Sequence, residues 1–153
     1  MVRASWLSMK AKNLSDVLVY HKAVDAASEV SALLKRPAFR KDFNLWDQLS
    51  RSSARVPALI SEGFGQITDR QSADYYGRAR GSALESRTHL ATARGREYIT
   101  DQELSTTASK YTEITKMLTP RINYLQRSNG ASAVSRGENV ITPIRDLRPD
   151  LRL

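Results

Sequence analysis

Residue types that could carry out acid–base, nucleophilic or metal chemistry are scarce in this sequence. It contains no cysteine, and its only histidines, His21 and His89, lie far apart without a partner at metal-ligand spacing. A Glu-x-x-His pair, which a di-iron four-helix bundle needs, does not occur. We therefore predict that the protein is not an enzyme and that it binds no metal ion or cofactor.

The segment GRARGS, from Gly77 to Ser82, has the glycines of a phosphate-binding loop but lacks its other features. No Lys-Ser or Lys-Thr pair follows the second glycine, and no strand pattern precedes the first. We interpret the segment as helical, with Gly77 and Gly81 one turn apart on the same face. Because neither residue has a side chain, we expect a neighbouring helix to approach closely there.

Basic residues are the more ordered chemical feature. Lysines and arginines number 24 against 16 aspartates and glutamates, which gives a formal net charge of +8. Most of these cations are arginines, whose planar guanidinium group suits phosphate. Arg80, Arg87 and Arg94 recur every seven residues, and Arg51 and Arg55 lie one turn apart in the preceding segment. We predict that these five arginines bind the phosphates of a nucleic acid, preferably RNA; a solvated face or a subunit boundary are the alternatives.

Four amphipathic segments would position these side chains. They run from an N-cap at Ser15 to Pro37, from Phe43 to Phe64, from about Arg70 to Gly95, and from a capping box at Thr100 and Glu103 to Arg127. The stripe predicted to be buried in the first segment is Val17, Tyr20, Val24, Ala27, Ser31 and Leu34. Such segments predict an all-α fold, an antiparallel up-down left-handed four-helix bundle. We divide the chain into a flexible leader (1–14), the bundle (15–127) and a flexible tail (128–153).

No segment of the sequence is typical of a membrane or secreted protein. No apolar run approaches the ~20 residues that a membrane span needs, and the start of the chain lacks the apolar core of a signal peptide. The absence of cysteine agrees with a reducing compartment. We therefore predict a cytoplasmic protein without a membrane partner.

The segment RVPALISEGFGQ, residues 55–66, combines a helical apolar stripe with residues that disfavour helices. Pro57 lies inside it, and proline in a helix interior costs about 3 kcal/mol. We predict a kink near Pro57, and a helix end at Gly63 and Gly65, where glycine adopts a positive φ most easily. Glu62 is predicted to accept a hydrogen bond from an arginine or a backbone N–H.

Two motifs on these helices resemble the 23S rRNA-intervening-sequence protein family, also called the four helix bundle protein family. They are Gln48-Leu49-x-Arg51, Val56-Pro57 and Ile60-x-Glu62-Gly63-Phe64-Gly65 in the second helix and Gly81-Ser82-Ala83-x-Glu85 in the third. From them we take a structural motif of Gln48, Pro57, Glu62, Gly63, Gly65, Gly81 and Glu85. The resemblance covers Asp16 to Arg127. The chain departs from the family at Ala58-Leu59, where Ser-Asn is usual, and at Ser61, where alanine is common.

The resemblance implies a bundle that assembles as a ring-shaped homopentamer. Family members are encoded within insertions in ribosomal RNA genes and stand near the reverse-transcriptase accessory proteins of diversity-generating retroelements, which contact polymerase and RNA. Our leading hypothesis is a non-catalytic homo-oligomer that binds RNA or another nucleic acid through its phosphates. The alternative is a protein-interaction scaffold, or a reverse-transcriptase accessory protein, that binds nucleic acid jointly with a polymerase or a ribosomal component. A helical enzyme or small-molecule binder is disfavoured by the lack of a polar cluster.

Overall fold

The computed structural model describes residues 11–135 and residue 137, which form helices and turns without a strand. The long helices are α1 (Leu18–Leu33), α3 (Phe43–Phe64), α4 (Asp69–Gly95) and α5 (Asp101–Ser135). The short α2 (Pro37–Lys41) joins α1 to α3, and a 3-10 turn, Leu14–Asp16, precedes α1. None of these helices combines the length and the apolar character that crossing a bilayer requires.

Contacts between neighbouring helices show that the four long helices alternate in direction. Ser52 of α3 bonds Ser86 of α4, whereas Gly63, later in α3, contacts Tyr76, earlier in α4. The same reversal of order relates α4 to α5 and α5 to α1, which closes the bundle. The predicted all-α antiparallel up-down four-helix bundle is therefore confirmed, and its left-handed supercoil stays a prediction.

Local sequence signals set several of the helix boundaries. The predicted limits of α3 are confirmed at both ends, and α4 begins one residue before its expected start. The predicted capping box opens α5: the Thr100 hydroxyl accepts the N–H of Glu103 at 3.2 Å, and the Glu103 carboxylate accepts the N–H of Thr100 at 2.8 Å. Pro37, which follows α1, begins α2, where the first turn needs no N–H donor.

Two predicted boundaries are wrong. Ser15 is not the N-cap of α1, because it lies in the 3-10 turn and Val17 directly precedes the helix. The last helix does not end at Arg127 but continues to Ser135, so that residues 128–135 of the predicted tail are helical. No proline interrupts that stretch, and an existing helix is extended more easily than a new one is nucleated. Residues 1–10, 136 and 138–153, which hold most of the predicted leader and tail, lie outside the described residues.

The rotation of α1 about its axis differs from the prediction by about one residue. Its buried side chains are those of Ala23, Ala26, Val30 and Leu33. Val24 and Ser31, both predicted to be buried, are exposed. Lys22 pairs with Glu113 of α5 at 2.8 Å, which turns the charged edge of α1 towards α5 and places the next position in the core. The stripes predicted for α3, α4 and α5 are buried or half-buried.

Of the glycines, Gly65 ends α3 as predicted, whereas the close helix contact expected at Gly77 and Gly81 is made at Gly63. A Cβ at Gly63 would lie 2.7 Å from the Tyr76 ring, so this glycine permits the close contact of α3 with α4. The predicted positive φ is wrong for both α3 glycines, since Gly65 has a φ of −80° and Gly63 is not in the left-handed region. At Gly77 and Gly81 no atom of the described residues lies within 4 Å of an added Cβ, so the predicted helix contact is not made in this part of the chain.

Candidate nucleic-acid interface

Two of the predicted phosphate-binding arginines lie at an open groove between α3 and α4. Arg51 and Arg55 are one turn apart on α3 and exposed, with 76% of the Arg51 side chain accessible. Together with Gln48 of α3 and Glu85 of α4 they line a groove of about 590 Å³. Arg51 donates to Asp47 of its own helix at 3.1 Å, and Arg55 makes no ion pair within the described chain. Exposed pairs of this kind are weak, so both guanidinium groups are available to a phosphate.

The other three arginines lie along the contact between α4 and α5. Arg80 donates to Oγ1 of Thr119 at 3.3 Å, and Arg94 donates to Oδ1 of Asp101 at 2.5 Å. Arg87 is half-buried, and its Nε is buried without a hydrogen-bond partner among the described residues. We call these three residues the seam arginines. Their guanidinium groups are less available to a ligand than those at the groove.

The five arginines therefore form two groups on different sides of α4. The seven-residue spacing correctly indicated that Arg80, Arg87 and Arg94 share one side of the helix. This side borders the apolar stripe, which is why a subunit boundary is one of the alternatives given above; in the structure the neighbour is α5 of the same chain, on which the methylene groups of an arginine can pack. α4 places no acid on this stripe, but α5 supplies Asp101 from across the contact.

Three arginine–carboxylate pairs close the end of the bundle at which α4 ends and α5 begins. They are Arg94 with Asp101, Arg36 with Glu103 and Arg96 with Asp42. The hydrogen bond from Arg36, followed in size by that from the Thr100 N–H, lowers the pKa of Glu103 to about 2. The hydrogen bond from Arg94 lowers the pKa of Asp101. These three arginines therefore form ion pairs between different segments of the bundle.

The residues of the sequence motif divide between the groove and the contact of α3 with α4. Gln48 and Glu85 line the groove, and Gly63 lies in the helix contact. α3 continues through Pro57, and the predicted kink there stays a prediction. The prediction for Glu62 is wrong, because its exposed side chain makes no hydrogen bond or ion pair with residues 11–135. Only part of the motif therefore borders the candidate interface.

The described residues do not bring together groups for catalysis. They contain no set of three histidine or acidic side chains that could hold a metal ion. His89 Nε2 lies 3.5 Å from Oε1 of Glu85, one turn away on the same helix, at the limit of a hydrogen bond. The buried Ser86 hydroxyl donates to the Ser52 hydroxyl at 2.9 Å, and neither has a base to activate it.

Sequence analysis overlooked a group of free cations at the end of α1 and in α2. The side chains of Lys35, Arg40 and Lys41 are exposed and make no ion pair or hydrogen bond in the part of the chain that the structure describes. The available signal was compositional, since residues 35–41 (KRPAFRK) contain four basic residues and no acid. The signal was missed because the segment is short and lies outside the long helices.

Comparison with known proteins assigns this bundle to a family. The family model described as 23S rRNA-intervening sequence protein matches residues 15–120, more than half of the chain. The chain belongs to the 23S rRNA-intervening sequence protein family. This confirms the resemblance found in the sequence, and the matched region ends inside α5, at Pro120.

A solved structure has the fold of this family member. It is the crystal structure of a protein of unknown function from the S23 ribosomal protein family of Bacteroides thetaiotaomicron VPI-5482. The two chains are 24% identical, the alignment covers 69% of this chain and 98% of that chain, and the TM-score is 0.64. A comparison with curated proteins gave no match.

Proposed function

We propose that this 23S rRNA-intervening sequence protein is a non-catalytic, cytoplasmic RNA-binding bundle that contacts its ligand mainly through phosphates. The observation that carries the proposal is the exposure of Arg51 and Arg55 at the groove, in a chain with a net charge of +8. The family name refers to ribosomal RNA, which agrees with RNA as the preferred polyanion. The planar guanidinium group of an arginine can bind two phosphate oxygens at once. Such contacts do not depend on the base sequence.

The seam arginines have a smaller part in this proposal than the groove arginines. Arg80 and Arg94 would have to exchange bonds to Thr119 and Asp101 for bonds to phosphate. Arg87 offers only the part of its guanidinium group that is not buried. We therefore assign the primary phosphate contacts to the groove and secondary contacts to the seam.

The proposal is tested by the salt dependence of RNA binding. We expect affinity for a single-stranded RNA to fall steeply with salt and to depend little on sequence. Changing Arg51 and Arg55 together to glutamine should weaken binding and reduce the slope of log K against log[salt] by about 1.4, for two lost contacts. Fluorescence anisotropy over a range of salt concentrations measures both quantities.

A matched control separates a local site from bulk charge. Arg70 and Lys116 are exposed cations away from the groove, and the variant R70Q/K116Q loses the same two charges. It should bind RNA more strongly than R51Q/R55Q does. Equal loss in the two variants would reject the groove as the site, and absence of salt-dependent binding by the parent protein would reject the function itself.

A second candidate function is protein contact, and one observation on α4 favours it. Gly77, Leu84 and Ala91 recur every seven residues, Leu84 is 47% exposed, and nothing in the described chain lies near an added Cβ at Gly77. Such an uncharged stripe on a strongly basic protein suits another protein better than nucleic acid. We propose that a second copy of the chain binds it, and the family resemblance favours a homopentamer.

Light scattering tests this assembly. The parent protein should have a mass several times that of one chain, and the variant Leu84→Glu should lower that mass while it stays helical. A monomeric parent protein would reject self-association. The exposure of Leu84 would then favour contact with a different protein. This is the alternative hypothesis, in which a scaffold or reverse-transcriptase accessory protein binds RNA jointly with a polymerase or a ribosomal component.

A further inference from the structure

An aromatic pair lies at the exposed start of α3. Phe43, the first residue of the helix, is 71% exposed although it is large and apolar. Its ring stacks on that of Trp46, with 6.1 Å between the centroids and 16° between the planes. Trp46 is itself half-buried against the core. The ring of Phe43 is therefore supported from one side and open to solvent on the other.

The unpaired charges next to this pair in the sequence are positive. Arg40 and Lys41 precede Phe43 by three and two residues and have no charged partner in the described chain. The adjacent acid, Asp42, is turned inward: it binds Arg96, accepts a hydrogen bond from Tyr98 Oη at 3.0 Å and caps the helix through the Leu45 N–H. In residues 40–42, the two cations are therefore unpaired, whereas the one acid is neutralised by Arg96.

One more acid lies near the aromatic pair. Asp47 follows Phe43 by one helical turn, and its carboxylate accepts the hydrogen bond from Arg51. Both of these acids are paired with arginines, so Arg40 and Lys41 are the unpaired charges closest to Phe43 in the sequence. Their Cα atoms lie within about 11 Å of that of Phe43 along the chain, so their cationic groups can reach phosphates that flank a base on the ring.

We propose that Phe43 and Trp46, with Arg40 and Lys41, form a binding platform for single-stranded nucleic acid. One base stacks on the open face of Phe43 and continues the stack that Trp46 begins, while Arg40 and Lys41 bind the neighbouring phosphates. Every base has a flat π face, so the platform is tolerant of sequence. A duplex keeps its bases stacked internally and offers the platform only phosphates. This inference rests on the proposed RNA binding and adds a preference for unpaired strands.

Substitution of Phe43 tests the platform, since an exposed ring is not needed for the core. The probes are a fluorescein-labelled oligouridylate of about 12 nucleotides and an RNA duplex of the same length. Phe43→Ala should weaken binding of the single strand by about tenfold, the effect of losing one base–aromatic stack, and leave binding of the duplex unchanged. Phe43→Trp should restore the affinity, and Phe43→Leu, which is apolar but cannot stack, should not.

The outcomes separate failure of the platform from failure of the proposed function. If the parent protein binds neither probe in a salt-dependent way, the proposed RNA binding and the platform are both rejected. If it binds both probes and Phe43→Ala binds the single strand as the parent does, the platform alone is wrong. If Phe43→Ala changes the mass measured by light scattering, Phe43 contacts another protein subunit, and the platform is rejected in favour of that interface.

Discussion

Helix α4 packs against α3 on one side and against α5 on the other, and the two contacts are built differently. Against α3 the contact uses small residues: Gly63 admits the Tyr76 ring, and Ser52 bonds Ser86. Against α5 the core holds Tyr111, and the seam arginines lie across the helix boundary. Beside the first contact the groove arginines extend into solvent. Along the second, Arg80 and Arg94 are hydrogen-bonded to α5 and Arg87 is half-buried.

The comparison teaches that arginines alike in sequence need not have the same role. Groove and seam arginines both recur at helical spacing, one turn apart in the first group and two turns apart in the second. The first group is free to bind a ligand, and the second holds two helices together.

The largest effect on stability is expected at the close α3–α4 contact. Gly63→Ala places a Cβ 2.7 Å from the Tyr76 ring, and overpacking of this kind costs about 1–3 kcal/mol. Gly81→Ala is the matched control, since it has open space around it and replaces a poor helix former, which gains about 0.5–1 kcal/mol. Chemical denaturation measures the unfolding free energy of both variants. A loss of stability in Gly81→Ala would show that another subunit packs there.

Removal of the seam arginines should destabilise the fold, whereas removal of the groove arginines should not. The triple change of Arg80, Arg87 and Arg94 to glutamine deletes bonds to α5 and the packing of the stems, so the melting temperature should fall by several degrees. R51Q/R55Q should melt as the parent protein does. Differential scanning calorimetry compares the two variants, and equal melting temperatures would contradict the distinction.

The carboxylate at the start of α5 should make stability sensitive to acid. The pKa of Glu103 is about 2 when folded against an ordinary value of 4.5, so its contribution is present above pH 4.5 and is lost as the pH falls towards 2. We expect a shallower fall of melting temperature over this range in Glu103→Gln. Melting curves from pH 6 to pH 2 test this, and R51Q/R55Q should keep the slope of the parent protein.

The smallest effects should come from buried hydroxyl groups. Ser86→Ala removes a hydrogen bond to Ser52 and should cost about 1 kcal/mol. Tyr111→Phe should change the unfolding free energy by less than about 1 kcal/mol, because the buried Tyr111 hydroxyl lies near Ser53 and Ser86 but forms no hydrogen bond of good geometry in the described chain. A large loss in Tyr111→Phe would show that this hydroxyl is bonded in solution.

Sequence reasoning was most successful where a signal is local. The capping box at Thr100 and the limits of α3 need only side chains within a few residues. It failed for the rotation of α1, because a one-residue shift leaves a comparable apolar stripe. The contacts that accompany the observed rotation, Lys22 with Glu113 and Lys110 with Asp25 and Glu29, join residues far apart in the sequence. Sequence reasoning also failed for Glu62, whose exposed side chain makes neither of the expected hydrogen bonds among the described residues.

The sequence by itself determined the all-α class, the four long helices, the basic charge and the family, since these depend on periodicity, composition and motif. Only the tertiary structure decided which glycines are packed and which arginines are free. Gly63 and Gly81 look equivalent in a helical pattern, yet one faces Tyr76 and the other faces open space. The reason is that a period of 3.6 residues fixes which side chains share a face, whereas the neighbour of that face is fixed only when the helices pack.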